Sequence, residues 1–268
     1  MGKATDAGLA RRKEVGKILM SKPFTSLQEL TERYPEFSSM TLRRDIEYDE
    51  ERGDVIKVRG GARAMHFITL TLEDNYYKRS LENTDGKERI ARVASQYIES
   101  GRSLFFDSGS TVMQMVQHLP DAKLTVSTSD PNIALSLVKH DKVVVNIIGG
   151  SLNRSNLSLS GVHALSFIQS TNIDIAFISP SGFSLQCGFT SGNYNESLVK
   201  KAVVGKARTV VMLLQSEKME KSMPHTFAEL SEVDVLITDK DPGSEVKEAC
   251  RKSGVKLIVT QESNIFQS

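Results

Sequence analysis

The sequence predicts an α/β protein in two parts, a small helical unit closed by a β-ribbon and a larger Rossmann-like α/β domain around a mostly parallel sheet. Three observations carry the prediction. Two short capped helices and a basic, apolar-alternating ribbon fill residues 26–61. From Lys87 onward, short apolar runs alternate with amphipathic stripes, the pattern of buried parallel strands covered by helices. Between the two, residues 65–86 lose periodicity and gain polar residues, as a connecting segment does.

Arg11 to Met20 reads as the first helix, with Val15, Ile18 and Leu19 at helical spacing. Its basic start, Arg11, Arg12 and Lys13, is placed to touch phosphate. Ser26 and Glu29 stand three apart as a capping box before Leu27 and Leu30, and the tight TERYPEF turn follows. Ser38 and Ser39 can each cap a further helix, which puts Leu42 and Ile46 on one face and leaves Thr41, Arg43 and Arg44 on the others. Gly53 stops that helix. Val55, Lys57 and Arg59 then alternate with Ile56 and Val58 until Gly60 and Gly61 turn the chain. Two capped helices joined by a turn and followed by such a ribbon make a winged helix-turn-helix. Hydroxyls, guanidinium groups and free N–H groups at a helix start suit DNA, where donors meet phosphates and arginine reaches guanine. The expected contacts are Ser38, Ser39, Thr41, Arg43 and Arg44, with Lys57 and Arg59 of the wing along the backbone. Taken alone, the same residues also suit the solvated face of an ordinary helix. The acidic run Glu47 to Asp54 is expected on a face turned away from DNA.

In the second part a helical stripe at Ile90, Val93, Ala94 and Ile98 precedes the strand SLFF and a helix carrying Val112, Met115, Val116 and Leu119. The strand LTVS, a helix from Pro131, the strand VVVNII, a helix over 162–168 and the strand IDIAFIS come next. A helix over 195–207, the strands TVVMLL and VDVLIT, a helix over 244–252 and the strand VKLIVT complete the chain. The expected organisation is therefore a DNA-binding domain over 1–64, a linker over 65–86 with the boundary near residue 75, and an α/β domain over 87–268.

With 39% hydrophobic and 25% charged residues, the 268-residue chain can bury a full core. A net charge of +1 excludes a uniformly basic coat, so DNA contact has to come from local clustering. Cys187 and Cys250 lack paired spacing and the five histidines are scattered, so neither a disulfide scaffold, a metal site nor a cofactor is expected. No apolar run approaches a membrane span, and the N-terminus lacks an apolar signal core, so a cytoplasmic protein without membrane contact is expected.

In parallel sheets ligands bind beyond the carboxyl ends of the strands. Five such segments share a polar chemistry here. Asp107, Ser108, Gly109, Ser110 and Thr111 offer N–H groups, hydroxyls and a helix dipole to a phosphate. Thr128, Ser129 and Asp130 follow LTVS, and Gly149 and Gly150 follow VVVNII and permit close backbone approach. Ser179 to Gly182 follow IDIAFIS, and Gln215 to Lys218 bring a cation. Taken singly, glycine and serine between a strand and a helix are most often only a turn; together the five segments describe a pocket for a small phosphorylated, hydroxyl-rich molecule.

On these residues the chain resembles the DeoR family of bacterial transcriptional regulators. Ser39 to Ile46 (SMTLRRDI) and Val58 to Ala62 (VRGGA) are its most characteristic words in the first part. The family usually has leucines at Asp49 and Asp54 and histidine at Arg59. Two carboxylates at core-facing positions imply a packing deficit unless Tyr48 and Val55 compensate. Residues from about Arg79 to Asp239 look like the family's sensor domain, a relative of sugar-phosphate isomerases that binds a sugar phosphate as inducer. Arg79, Lys87, Asp107 to Thr111, Thr128, Asn132, Gly149, Gly150, Asp174, Glu196, Ser216, Lys218, Thr238 and Asp239 match in spacing. The resemblance implies that Gly109, Ser110, Thr111 and Lys218 face phosphate, and that Glu196 and Asp107 serve sugar hydroxyls. Ser129, Asp130 and Gln215 depart from the family's usual asparagine, serine and aspartate.

The expected function is a DNA-binding regulator, a repressor of carbohydrate metabolism genes, whose affinity for double-stranded operator DNA changes with a bound sugar phosphate. The linker with Arg79 and Lys87 is the expected relay, and a homodimer or homotetramer would read two half-sites. An enzyme acting on a sugar phosphate through Glu196, Asp107 or Lys218, and a ligand-blind DNA-binding protein, stand as alternatives.

Overall fold

The computed structural model describes residues 6–21, 24–64 and 82–260. The connecting segment over 65–81, with His66 and Arg79, lies outside these. The chain divides into two compact units, residues 1–72 and 73–268.

In the first unit, α1 (Asp6–Ser21), α2 (Leu27–Arg33) and α3 (Ser39–Glu51) carry the core, and β1 (Thr25–Ser26), β2 (Val55–Val58) and β3 (Gly61–Ala64) form a small sheet in the order β1-β3-β2. Ser26 Oγ accepts from Glu29 N at 3.0 Å and Ser38 Oγ from Thr41 N at 3.2 Å, so both expected caps start their helices. Val15, Leu19, Leu30, Leu42, Ile46, Val55 and Ala62 make the core. The wing turns at Arg59 and Gly60, the latter at φ +88°. Gly61 is already in β3, where a Cβ would lie 2.2 Å from the Thr25 carbonyl oxygen. Its lack of a side chain therefore admits β1 to the sheet instead of turning the wing.

The buried face of α3 is not purely apolar: Leu42, Asp45, Ile46 and Asp49 all lie on it. Arg11 spans both oxygens of Asp45 at 2.6 and 3.0 Å, and Arg12 adds a bond at 3.2 Å. The two guanidinium groups stack over Phe37 and Tyr48 respectively, each 4.8 Å from the ring centre. Arg11 and Arg12 thus hold α1 to α3, a correction to their expected phosphate role. Of the two aspartates expected at core positions, Asp54 is half-exposed and pairs with Arg52 at 3.2 Å, while Asp49 is buried.

The second unit is a three-layer α/β fold. Its helices are α4 (Thr84–Ser95), α5 (Ser110–Met115), α6 (Pro131–Leu137), α7 (Val162–Ser170), α8 (Tyr194–Lys206) and α9 (Ser244–Ser253). Its central strands are β4 (Ser103–Phe106), β5 (Leu124–Thr128), β6 (Val143–Ile147), β9 (Ile173–Ile178), β12 (Ala207–Leu214), β14 (Val235–Thr238) and β15 (Lys256–Val259). They run in the order β15-β14-β12-β9-β4-β5-β6, with every pairing parallel. Alternate strand residues feed two cores: Leu104 and Phe106 pack with α4, α5 and α6, whereas Phe105 packs with α7, α8 and α9. Burial on both faces is why the inner strands β4, β9, β12 and β14 read as largely apolar runs. Thr84 to Gly86, given to the linker by sequence, form the first turn of α4, and Lys87 is buried in that helix with its ammonium on the Glu82 carbonyl.

Two small antiparallel additions were not expected from sequence. One is the hairpin of β7 (Ser151–Asn153) and β8 (Ser158–Ser160); the other is the sheet of β10 (Gly182–Ser184), β11 (Gly188–Ser191) and β13 (His225–Ala228). No described helix is long and apolar enough to cross a membrane. Among the described residues no group of three His, Cys, Asp or Glu side chains is placed to hold a metal ion.

Candidate nucleic-acid interface and ligand crevice

On the first unit, Ser38, Ser39, Arg43 and Arg44 are exposed at the start of α3, and Thr41 is half-buried with its hydroxyl 3.0 Å from Ser38 Oγ. Neither Arg43 nor Arg44 has an ion pair among the described residues, so both guanidinium groups remain available to a groove. A cavity of about 270 Å³ separates α3 from the wing, lined by Met40, Arg43, Glu47, Lys57 and Gly60 among others. Arg59, at the wing tip, is exposed.

Lys57 is less available. Its ammonium lies 2.5 Å from Glu47 Oε1, and its backbone N–H donates to Glu50 Oε1 at 2.8 Å. Glu47 is held below the usual carboxylate range by Lys57 first, with Arg44 and Arg43 adding to the effect. The acidic run is therefore not turned away as a whole. Glu47 and Glu50 face the wing, Asp45 and Asp49 face the core, and the expectation of one solvated acidic face fails because a helix distributes a continuous run around all its sides.

On the second unit the strand order reverses at β4, which has β5 on one side and β9 on the other. A crevice opens at such a switch point because the connections leave in opposite directions. Asp107 stands directly after β4, at this switch point. Its N–H donates to the Phe177 carbonyl at 3.0 Å, and its Oδ2 accepts from Ser179 N at 3.1 Å and from the Lys200 ammonium. Lys200 also donates to the Ser179 carbonyl at 3.1 Å and lies 3.2 Å from Glu196 Oε1, four residues back on the same buried face of α8. Asn156, from the β7–β8 turn, donates to Glu196 Oε2. Both Asp107 and Lys200 are 1% exposed, so this is a fully buried carboxylate–ammonium–carboxylate chain.

The remaining loops close around it. Ser108 N donates to Ser129 Oγ at 3.1 Å, Thr111 Oγ1 to Gln215 Oε1 at 3.4 Å, and Lys218 Nζ to Pro180 O at 2.9 Å and Ser179 Oγ at 3.3 Å. Thr128 Oγ1 accepts from Asp130 N, and Asp130 Oδ1 caps α6 by accepting from Asn132 N at 2.8 Å. Burial pushes the Asp130 carboxyl up to about 6, against the N–H groups of Asn132, Ile133 and Gly109, and the charge of Asp107 adds to the shift.

Four of the five strand-end segments are thus joined directly by hydrogen bonds. Gly149 and Gly150 differ. A Cβ on Gly150 would lie 2.3 Å from the Ser160 carbonyl oxygen, so that glycine answers to the hairpin beside it rather than to ligand approach. The helix opened by Ser110 is only six residues long, which leaves the backbone N–H groups and hydroxyls, not a long helix dipole, as the anion-binding chemistry. Sequence reasoning missed Lys200 and Asn156. Glu196 and Lys200 carry the i, i+4 spacing that could have flagged a pair, but a lysine in LVKKAVV reads as solvated.

Residues 82–240 match the family described as the DeoR C terminal sensor domain, and residues 11–67 match the DeoR-like helix-turn-helix domain. The chain is 29% identical over 249 residues to the HTH-type transcriptional regulator GlpR of Haloferax volcanii, covering 92% of this chain and 96% of that one. It is 30% identical over 252 residues to the HTH-type transcriptional regulator IolR of Bacillus subtilis, covering 93% and 98%. Identity to the HTH-type transcriptional repressor GlcR of Bacillus subtilis is 29% over 225 residues, covering 83% and 85%.

Proposed function

Because this chain belongs to the DeoR family of transcriptional regulators, we propose that it represses genes of carbohydrate metabolism and is controlled by a phosphorylated sugar or similar metabolite held in the crevice at the end of β4. The convergence of Asp107 to Thr111, Ser129, Asp130, Gln215 and Lys218 at that switch point carries the reading. The N–H groups and hydroxyls of 108–111, with Lys218, take the phosphoryl oxygens. The Asp107–Lys200–Glu196 chain orients hydroxyls, since it offers acceptors and donors in a buried site. Ser38, Ser39, Thr41, Arg43 and Arg44 contact the operator, Arg59 lies along its backbone, and Lys57 does so once released from Glu47. Two or four copies bind together, as half-site recognition requires.

Effector and DNA have to be coupled through a difference in affinity between two arrangements of the protein. The test is a thermal-shift panel of sugar phosphates on the full chain, followed by gel shift with any hit. A ligand at 100 times its dissociation constant adds about 2.7 kcal/mol of stability. A panel without any shift, or a hit that leaves DNA binding unchanged, would contradict the proposal. Lys200 between two carboxylates is also an arrangement that moves protons, which favours a sugar-phosphate isomerase as the second reading. Turnover at about 1 s⁻¹ or faster, followed by NMR on the same panel, would support that reading instead.

A further inference from the structure

Two buried polar atoms flanking the 107–111 turn, Asp130 Oδ2 and Gln215 Nε2, have no hydrogen-bond partner among the described residues. Asp130 is 0% and Gln215 1% exposed. They stand on opposite sides of the 107–111 turn, Asp130 at the end of β5 beside the Gly109 N–H and Gln215 at the end of β12 beside Thr111. A buried polar atom left without a partner costs free energy that a ligand group can recover.

The charges around Asp130 limit what that ligand can be. Asp107 faces it from the end of β4 and is itself paired with Lys200 of α8, which also holds Glu196. Lys218 stands on the turn after β12. The neighbouring segments Ser108–Thr111 and Ile148–Ser151 contribute no titratable side chain. Asp107 and Glu196 balance Lys200 and Lys218, so an ionised Asp130 would leave the crevice negative and would compete with an added oxyanion for the Gly109 N–H.

On the reading that the crevice takes a phosphorylated effector, we infer that Asp130 meets the bound oxyanion as a neutral acid, taking one proton from solvent on binding, and selects with Gln215 for a fully charged phosphoryl group. The acid O–H then donates from Oδ2 and the amide from Nε2, so both orphaned positions become donors to the anion. The Oδ1 cap on α6 is undisturbed. Ligands that carry an ammonium group beside Asp130 are disfavoured, because they require it charged.

Inorganic sulfate is the probe, since its charge is constant between pH 6 and pH 8 and any pH dependence reports the protein. With a carboxyl that titrates at about 6, half the molecules are competent at pH 6 and about one in a hundred at pH 8, so the sulfate dissociation constant of the full chain rises about 50-fold. Asp130→Asn keeps a good cap acceptor and places an N–H₂ where Oδ2 stood. It should bind sulfate with little pH dependence and more tightly than wild type at pH 8. Gln215→Glu should weaken binding about tenfold or more at both pH values. Calorimetric titration reads all three proteins, with circular dichroism confirming their fold. An Asp130→Asn variant that follows the wild-type pH profile, or binds more weakly at pH 8, overturns the inference while sulfate binding itself upholds the phosphate site. No binding of sulfate, inorganic phosphate or a sugar phosphate by any of them overturns the phosphate site and this inference together.

Discussion

Asp49 should destabilise its own domain, and replacing it by asparagine should stabilise the protein at neutral pH. The carboxyl lies on the buried face of α3 at 7% exposure, against α1 where a Cβ on Gly16 would be 3.2 Å from Oδ2. Oδ2 has no hydrogen-bond partner among the described residues. Burial pushes this group from 3.8 up to about 6; Asp54 adds to the shift and Arg52 opposes it. At about 1.4 kcal/mol per pH unit the full shift corresponds to about 3 kcal/mol. The adjoining cavity of about 440 Å³, lined by Arg12, Lys13 and Arg52, lets solvent and charge screen part of it, which leaves about 2 kcal/mol. A folded-state pKa above the unfolded value favours the neutral acid in the folded protein. Wild-type stability from this group is therefore complete below about pH 4 and is lost as pH rises through about 6. The gain of Asp49→Asn over wild type should be near zero at pH 4 and reach about 2 kcal/mol at pH 8, and Asp49→Leu should gain more by filling space. Urea unfolding followed by circular dichroism at the two pH values measures it. A variant that is neutral or destabilised at pH 8, or equally stabilised at both, would refute the electrostatic account.

Other perturbations separate the roles assigned above. Asp45→Ala strands the Arg11 and Arg12 charges and should cost about 3 kcal/mol of stability by the same unfolding assay. Glu47→Gln removes a negative charge from the groove and frees Lys57, so DNA binding should strengthen and the slope of log affinity against log salt should steepen by about 1. Lys200→Met leaves Asp107 and Glu196 buried without their ammonium and should cost about 3 kcal/mol in unfolding experiments while abolishing any sugar-phosphate thermal shift.

What sequence could and could not show divides along physical lines. Ser26 and Ser38 announce their helices because an N-cap acts on residues two or three away, within the reach of local reading. The inner parallel strands β4, β9, β12 and β14 announce themselves because they are largely buried on both faces and mostly apolar, whereas the edge strand β6 exposes Val144 and Ile147. The strands β10, β11 and β13 do not, because GFS, GFTS and HTFA are short and take their state from tertiary pairing rather than propensity. The crevice is half legible. Its turns carry glycine and serine in sequence, but Lys200 and Asn156 arrive from α8 and a hairpin whose approach no local pattern encodes. Asp45 goes unflagged for the same reason, since only α1 supplies the arginines that stabilise an aspartate at a core position.

The most direct test of the whole account is DNA affinity of the α3 face. Duplexes selected by the wild-type chain from a random pool should be titrated by fluorescence anisotropy with wild type, Arg43→Ala and Arg44→Ala at one fixed salt concentration. A loss of about 1–3 kcal/mol in at least one variant is predicted if a base edge is read by this helix. Wild-type affinity in both would contradict it.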